Sequence, residues 1–184
     1  MKIACLGWGS LIWDPRDLPV LSPWFNDGPL LPIEFARHSQ GNRVTLVITH
    51  GFPCVRTLWA LMNVENINDA RLRLAEREKI PSRNISKSIG YWSKTDNPSI
   101  EFVEDIGKWA VRMDLDAVVW TSLPPKFRGD PNVVPTADEV INFLQNLPPE
   151  TKSIAEEYVR RAPAQVNTKY RRRIERELGW TPIT

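Results

Sequence analysis

The stretch that most constrains this chain is Leu6-Gly7-Trp8-Gly9-Ser10-Leu11-Ile12-Trp13, which follows the apolar run Ile3-Ala4-Cys5-Leu6. The run reads as a buried strand. Two glycines separated only by Trp8 let the backbone turn sharply and pass close to a neighbour, since neither carries a Cβ. Ser10 adds a hydroxyl, and successive main-chain N–H groups in such a turn can form a concave nest for an anion. Two readings follow. The turn is a ligand cradle, or it ends a strand and its Trp8, Leu11 and Trp13 fill a core.

A second constraint lies in residues 66–80. Asn66 or Asn68 can cap a helix running to about Ile80, where Pro81 stops it. Ile67, Ala70 and Leu74 form one stripe at 100° per residue. Glu78 falls about 20° from Ile67 on that wheel and Glu76 about 180° away. One glutamate therefore points inward and the other outward, with Arg71 about 40° off the stripe. An inward carboxylate is costly unless paired, hydrogen-bonded or used, and burial makes it a better general base. The structural alternatives are an ion pair with Arg71 or Arg37, or an earlier helix end that leaves Glu78 in solvent.

These two segments also carry a resemblance. Gly7-Trp8-Gly9-Ser10-Leu11-Ile12-Trp13 resembles the Gly-Tyr-Gly-Ser-Leu loop of the gamma-glutamylcyclotransferase-like family, closest to its ChaC-type members. Leu74-Ala75-Glu76-Arg77-Glu78 is similar to the Leu-x-x-Arg-Glu helix in which those enzymes hold their catalytic glutamate. Phe35-Ala36-Arg37 and Arg43-Val44-Thr45-Leu46 echo two further strands more loosely. The resemblance covers about residues 3–121. It departs at Trp8, which stands where the family has tyrosine, and after Glu78, where Lys79-Ile80 replaces a glycine and tyrosine. Tyr91 is the next phenol.

The resemblance implies an α+β fold, a small mixed-strand β-barrel flanked by helices; the length of the chain and the lack of an interdomain linker suit a single domain 1–184. Its core would span about residues 1–121, with a helical C-terminal extension over about 136–184. It implies cyclisation of a small γ-glutamyl compound to 5-oxoproline with release of an amine, amino acid or peptide. Glu78 would be the acid/base, and Gly7, Trp8, Gly9, Ser10 and Leu11 the substrate-binding turn. That reaction calls for no metal and no organic cofactor, and the partner is a small γ-glutamyl or amino compound. The departures at Trp8 and after Glu78 keep open a non-catalytic module of the same fold that binds such a compound.

The remaining pattern fills in the architecture. Strands are expected at residues 33–37 and 43–48, with Gln40-Gly41-Asn42 as the hairpin turn, and at 55–62. Their order implies antiparallel pairing. Residues 14–32 read as a long excursion with one helical turn, and residues 124–135 as a loop. Residues 109–113 and 117–120 show strand pattern. Thr136 and Glu139 form a capping box for a helix to about Leu147. A second helix starts near Pro149 and ends before Pro163, and a third runs from about Thr168 to Leu178, closed by Gly179.

Arg160, Arg161, Lys169, Arg171, Arg172, Arg173 and Arg176 make the last helices basic, which leaves an interaction protein as a further alternative. Glu175 and Glu177 are interleaved among them, and a net charge of +2 argues against a polyanion binder, so nucleic acid is not expected. Cys5 and Cys54 are the only cysteines, which excludes a disulfide framework and a cysteine zinc site and fits a reducing cytosol. His38 and His50 are read as strand or turn residues. The first residues imitate a signal peptide only faintly, and no stretch approaches the roughly 20 apolar residues of a membrane span. The expected location is cytoplasmic.

Overall fold

The computed structural model describes residues 1–96, 98 and 102–183. In chain order its elements are β1 (Ile3–Gly7), β2 (Leu30–Leu31), β3 (Ile33–Ser39), β4 (Arg43–Ile48), β5 (Val55–Arg56), β6 (Leu58–Leu61), α1 (Ile67–Arg77) and α2 (Ile85–Ser88). There follow β7 (Ile89–Ser93), α3 (Val103–Arg112), β8 (Ala117–Thr121), β9 (Lys126–Phe127), β10 (Asp130–Pro131), α4 (Ala137–Gln145), α5 (Pro149–Arg161) and α6 (Lys169–Leu178). The fold is mixed α+β and divides into two compact units, each assembled from three chain segments.

The first unit comprises Met1–Gly7, Asp14–Leu30 and Arg56–Leu123. Its sheet has the order β6-β1-β8-β7. Every residue of β1 is buried, as expected for a central strand with an unbroken apolar run. β1 pairs antiparallel with β6 (Cys5 opposite Ala60) and parallel with β8 (Cys5 opposite Val119), while β7 pairs antiparallel with β8. α1 packs on β7, β8 and β1, and α3 on β7 and β8. Trp120 of β8 is wholly buried over Gly90, where a Cβ would lie 2.4 Å from the indole. Only glycine fits that position on β7.

The second unit comprises Trp8–Trp13, Leu31–Val55 and Pro124–Thr184. β3 and β4 form the expected hairpin, turning through Gly41 and Asn42 at positive φ (72° and 55°). β9 adds parallel to β3 and β10 pairs antiparallel with β9. α5 packs on β4 and on the hairpin turn, α6 on β3 and on α4. The capping box of Thr136 and Glu139, Pro149 in the first turn of α5, and Gly179 at φ 74° after α6 all take their expected roles.

Several expectations are corrected. The described sheets are open, with no closed barrel among them. A four-stranded ribbon is too narrow to close on itself, and β6 is finished instead by bridges from Val20 to Met62 and Phe25 to Trp59. The strand expected over residues 55–62 breaks at Thr57, whose N–H and hydroxyl both donate to the Pro29 carbonyl (3.1 and 2.8 Å). β6 consequently pairs with β1 and not with the β3–β4 hairpin. Residues 109–113 are not a strand: they fall in α3 and its cap, with Ile106, Trp109 and Ala110 buried at helical spacing and Val111 exposed. β7 was not expected, the loop over residues 124–135 holds the β9–β10 hairpin, and residues 14–29 form no helical turn.

Candidate active site

Glu78 sits at the end of α1. Asn66 caps the other end, its side chain accepting from the Asp69 N–H (3.0 Å). Glu78 is the C-cap, and the chain closes as a Schellman motif: Lys79 N–H donates to the Glu76 carbonyl (3.0 Å) and Ile80 N–H to the Ala75 carbonyl (2.8 Å). Lys79, where the resemblance would put glycine, adopts φ 56°, the left-handed region that glycine favours. The Glu78 side chain is 20% exposed and that of Glu76 54%, so the wheel separates the two glutamates correctly.

The partner of Glu78 is neither Arg71 nor Arg37. It is Arg77, 4% exposed, whose Nη1 lies 2.7 Å from Glu78 Oε1. Adjacent helical residues point apart, but both side chains are long enough for the guanidinium to reach the neighbouring carboxylate. Arg77 Nη2 also donates to the Asp14 carbonyl (2.6 Å), and Arg16 donates to the Arg77 carbonyl (3.2 Å). The pair also acts on the fully buried Cys5 of β1. Burial first, and then the negative charge of Glu78, push its thiol well above the ordinary range, with Arg77 opposing. The Arg77–Glu78 pair thus lies beside β1, two residues before Gly7, and beside Asp14.

The segment of residues 8–13 is tightly built. Gly7 is the last residue of β1, opposite Leu58. Trp8 is 4% exposed and its indole N–H donates to the Leu46 carbonyl of β4 (3.2 Å). Leu11 is buried as well. Trp8 and Leu11 are therefore core residues, and the single polar atom of the Trp8 side chain is engaged within the chain. The Gly9 carbonyl accepts from the Ile12 N–H (3.0 Å), closing the turn. Among the described residues, the Gly9 and Leu11 N–H groups meet no acceptor.

Tyr158 is the residue that sequence reasoning missed. A Cβ on Gly9 would lie 2.6 Å from its hydroxyl oxygen. That hydroxyl accepts from the Leu46 N–H (3.3 Å), and the ring meets Trp13 edge-on at 5.5 Å. Ala155, Tyr158 and Val159 are buried at helical spacing on α5, so the inward face was readable but not its destination. Gly9→Ala is expected to cost about 1–3 kcal/mol through overpacking. Most of that loss should be recovered in the Tyr158→Phe background, where the oxygen is gone. Urea unfolding of the four variants in a double-mutant cycle measures the coupling.

A second inward carboxylate, Glu34 of β3, has a different character. It is fully buried and accepts from the Thr168 hydroxyl, the Phe35 N–H (2.9 Å) and the Tyr170 N–H (3.1 Å), at the start of α6. Two of these donors are helix-terminal, the arrangement of a structural cap. Burial nonetheless pushes its carboxyl above the ordinary glutamate range, the hydrogen bonds and Arg172 opposing. A carboxyl raised on folding contributes stability that is full below its unfolded pKa and is lost as pH rises through the folded value. Acidification from neutrality through that raised value should thus stabilise the wild type relative to Glu34→Gln. Melting temperatures of both across pH check this.

The other candidates are structural. His38 packs edge-on against Phe143 (4.8 Å) with its Nε2 3.2 Å from Asn42 Oδ1. No three His, Cys, Asp or Glu side chains among the described residues are grouped to hold a metal ion. The basic residues of α5 and α6 are largely matched: Arg160 with Glu156, Arg161 with Glu157, Arg171 with Glu175, and Arg173 with both Asp138 and Glu177. No described helix is long and apolar enough to cross a membrane. Set against models of known protein families, curated proteins and solved structures, the chain matches none.

Proposed function

We propose that this chain is a gamma-glutamylcyclotransferase-like enzyme that converts a small γ-glutamyl compound to 5-oxoproline. The observation that carries the reading is Glu78: a half-buried carboxylate, oriented by a buried guanidinium at the end of the helix whose sequence resembles the catalytic one. The substrate's α-ammonium gives a proton to Glu78. The freed amine attacks the substrate's own γ-carbonyl carbon, the C–N bond to the leaving group breaks as Glu78 returns its proton to the departing nitrogen, and the regenerated carboxylate takes the second proton of the attacking nitrogen to leave the neutral lactam. The ring that forms is five-membered, so the protein's main task is to fold the glutamyl chain back on itself. N–H groups of Gly9, Ser10 and Leu11 are the donors offered to the transient oxyanion, and Trp8 contributes shape alone.

The test is 5-oxoproline release from a panel of γ-glutamyl dipeptides, γ-glutamylamines and glutathione. Release from at least one is expected, and the best substrate names the leaving group. Failure with every member, at micromolar enzyme, sinks the reading. One observation favours a non-catalytic module instead: the family's phenol is replaced by an indole whose N–H is engaged with Leu46. Binding of these compounds without release would identify that module.

A further inference from the structure

The sheet of the second unit gathers positive charge at the tip of the β3–β4 hairpin. In register, Ser39 of β3 lies opposite Arg43 of β4, Arg37 opposite Thr45, and Arg37 is also the partner of Lys126 on β9. The register shift falls before Arg37, so alternation is regular from there on, and cross-strand partners carry their side chains on one face. Lys126, Arg37, Ser39, Arg43 and Thr45 therefore share a face. His38 and Phe127, both packed on Phe143, take the other.

All five residues are half-buried. Among the described residues, Arg37, Arg43 and Lys126 meet no carboxylate within ion-pair distance. β3, β4 and β9 carry a single acidic residue, Glu34, whose carboxylate is engaged at the start of α6. Asp130 is the partner of Phe127 and belongs to the opposite face. Each arginine is anchored to one carbonyl: Arg37 Nη1 donates to Pro124 (2.6 Å) and Arg43 Nε to Gln40 (3.1 Å), and the Arg43 guanidinium also lies over the Tyr158 ring, 5.7 Å from the centroid. The other four N–H groups of each guanidinium meet no acceptor among the described residues. Burial alone pulls Arg37 below its ordinary range, with no neighbouring charge to oppose it. The Ser39 hydroxyl, which stands between the two arginines in the register, is buried with no hydrogen-bond partner. A buried hydroxyl left unsatisfied calls for an explanation, and so do three half-buried cations without a counter-charge. A single bound anion answers both.

The spacing suits a small one. Neighbouring strands lie about 4.8 Å apart and alternate residues about 6.7 Å, so the patch from Lys126 to Arg43 is about 12 Å at its widest, within the reach of lysine and arginine arms from either side. A carboxylate offers one charge and two oxygens. Two guanidinium forks, an ammonium and a hydroxyl donor match better the double charge and three terminal oxygens of a phosphate monoester. We propose that this face of β3, β4 and β9 binds the phosphoryl group of a small phosphate compound, with Arg37 and Lys126 on one side, Arg43 on the other and the Ser39 hydroxyl between them. The site lies wholly within the second unit and stands or falls independently of the cyclotransferase reading.

Calorimetry on the full chain tests it with inorganic phosphate, glycerol 3-phosphate and acetate as probes. At least one phosphate probe should bind about 10-fold or more tightly than acetate, and Arg37→Gln and Lys126→Gln should each weaken it by about 10- to 100-fold, the loss of a charge-assisted hydrogen bond. Ser39→Ala should cost about 3- to 10-fold, as for a neutral donor. Arg37→Lys, which keeps the charge and loses the fork, should fall between wild type and Arg37→Gln. Arg83→Gln, an exposed basic residue of the first unit, should bind as wild type does. Lys126 is the decisive position, because its side chain makes no bond within the protein and its loss leaves the fold intact. Tighter binding of glycerol 3-phosphate would identify a phosphorylated metabolite as the ligand, and tighter binding of inorganic phosphate the free ion. Acetate bound as well as phosphate, phosphate binding that survives Lys126→Gln, or no binding of either phosphate probe at millimolar concentration overturns the proposal.

Discussion

Glu78→Gln is expected to lower 5-oxoproline release by about 10²- to 10⁴-fold, the range for loss of a positioned general base. The substitution is nearly isosteric, and its amide oxygen can still accept from Arg77 Nη1, now at 2.7 Å from the carboxylate. Arg77 also keeps the Asp14 carbonyl. The accompanying loss of stability should therefore stay at about 1–3 kcal/mol, from a charged hydrogen bond reduced to a neutral one. Glu78→Ala is a poorer test because it removes the carboxylate that balances the buried guanidinium, at about 3–5 kcal/mol, and confounds activity with folding. Release assays and urea unfolding on the same Glu78→Gln preparation separate the effects. Release within tenfold of wild type would remove Glu78 from the chemistry.

What could be read in the sequence was local. The central strand β1 announced itself through an apolar run, and the caps of α1, α4 and α6 through Asn66, Thr136 with Glu139, and Thr168 with Gly179. Each signal is contained within a few residues. The failures arose where a segment's state depends on a distant partner. Residues 109–113 alternate in a way that suits a strand. In the helix Trp109 donates its indole N–H to the Asp27 carbonyl (2.9 Å) and its ring meets Trp59 edge-on, contacts with partners far away in the sequence. The break at Thr57 is likewise made by Pro29, and it sends β6 to another sheet.

The candidate site was legible to the same degree. Helical periodicity alone picked Glu78 as the inward glutamate and Glu76 as the outward one. The partner was missed because the wheel looks for contacts three and four residues apart, whereas Glu78 pairs with its sequence neighbour Arg77. In the turn, glycine at position 9 signalled close approach, but what approaches is Tyr158, almost 150 residues away, and no local pattern carries that information. Trp8 was readable as either core or cradle, and its bond to Leu46 makes it core. Buried carboxylates likewise need their donors counted before a role is assigned: Glu34 is more deeply buried than Glu78, yet two donors at the start of α6 and the Phe35 N–H of its own strand mark it as a cap.

Arg171→Met should produce the largest stability loss of any basic substitution in α5 and α6, about 3–5 kcal/mol. The sequence places Arg171 in a run of arginines that reads as a solvated face, but its side chain is 1% exposed. Its guanidinium donates to the carbonyls of Ala162 (2.7 Å), Pro163 (2.6 Å) and Val166 (3.2 Å), and its Nε to Glu175 (3.0 Å). Those carbonyls lie where α5 ends and the chain turns toward α6, so no continuing helix can satisfy them. Burial pulls the guanidinium below its ordinary range, with Glu175 opposing. It stays charged because five fixed N–H donors match this set of acceptors. Methionine preserves much of the stem's packing and isolates the polar loss: three carbonyls and a carboxylate are left without their donor. Arg171→Lys supplies one donor point in place of a fork and should fall between. Arg173, one position beyond its immediate neighbour, is the internal control. Its partners Asp138 and Glu177 are reached from the outer face, where solvent screens the charges and can replace the bonds. Urea midpoints for Arg171→Met and Arg173→Met decide the matter. Similar losses for the two would mean that the α5–α6 turn holds without its guanidinium, and that burial at Arg171 follows from packing alone.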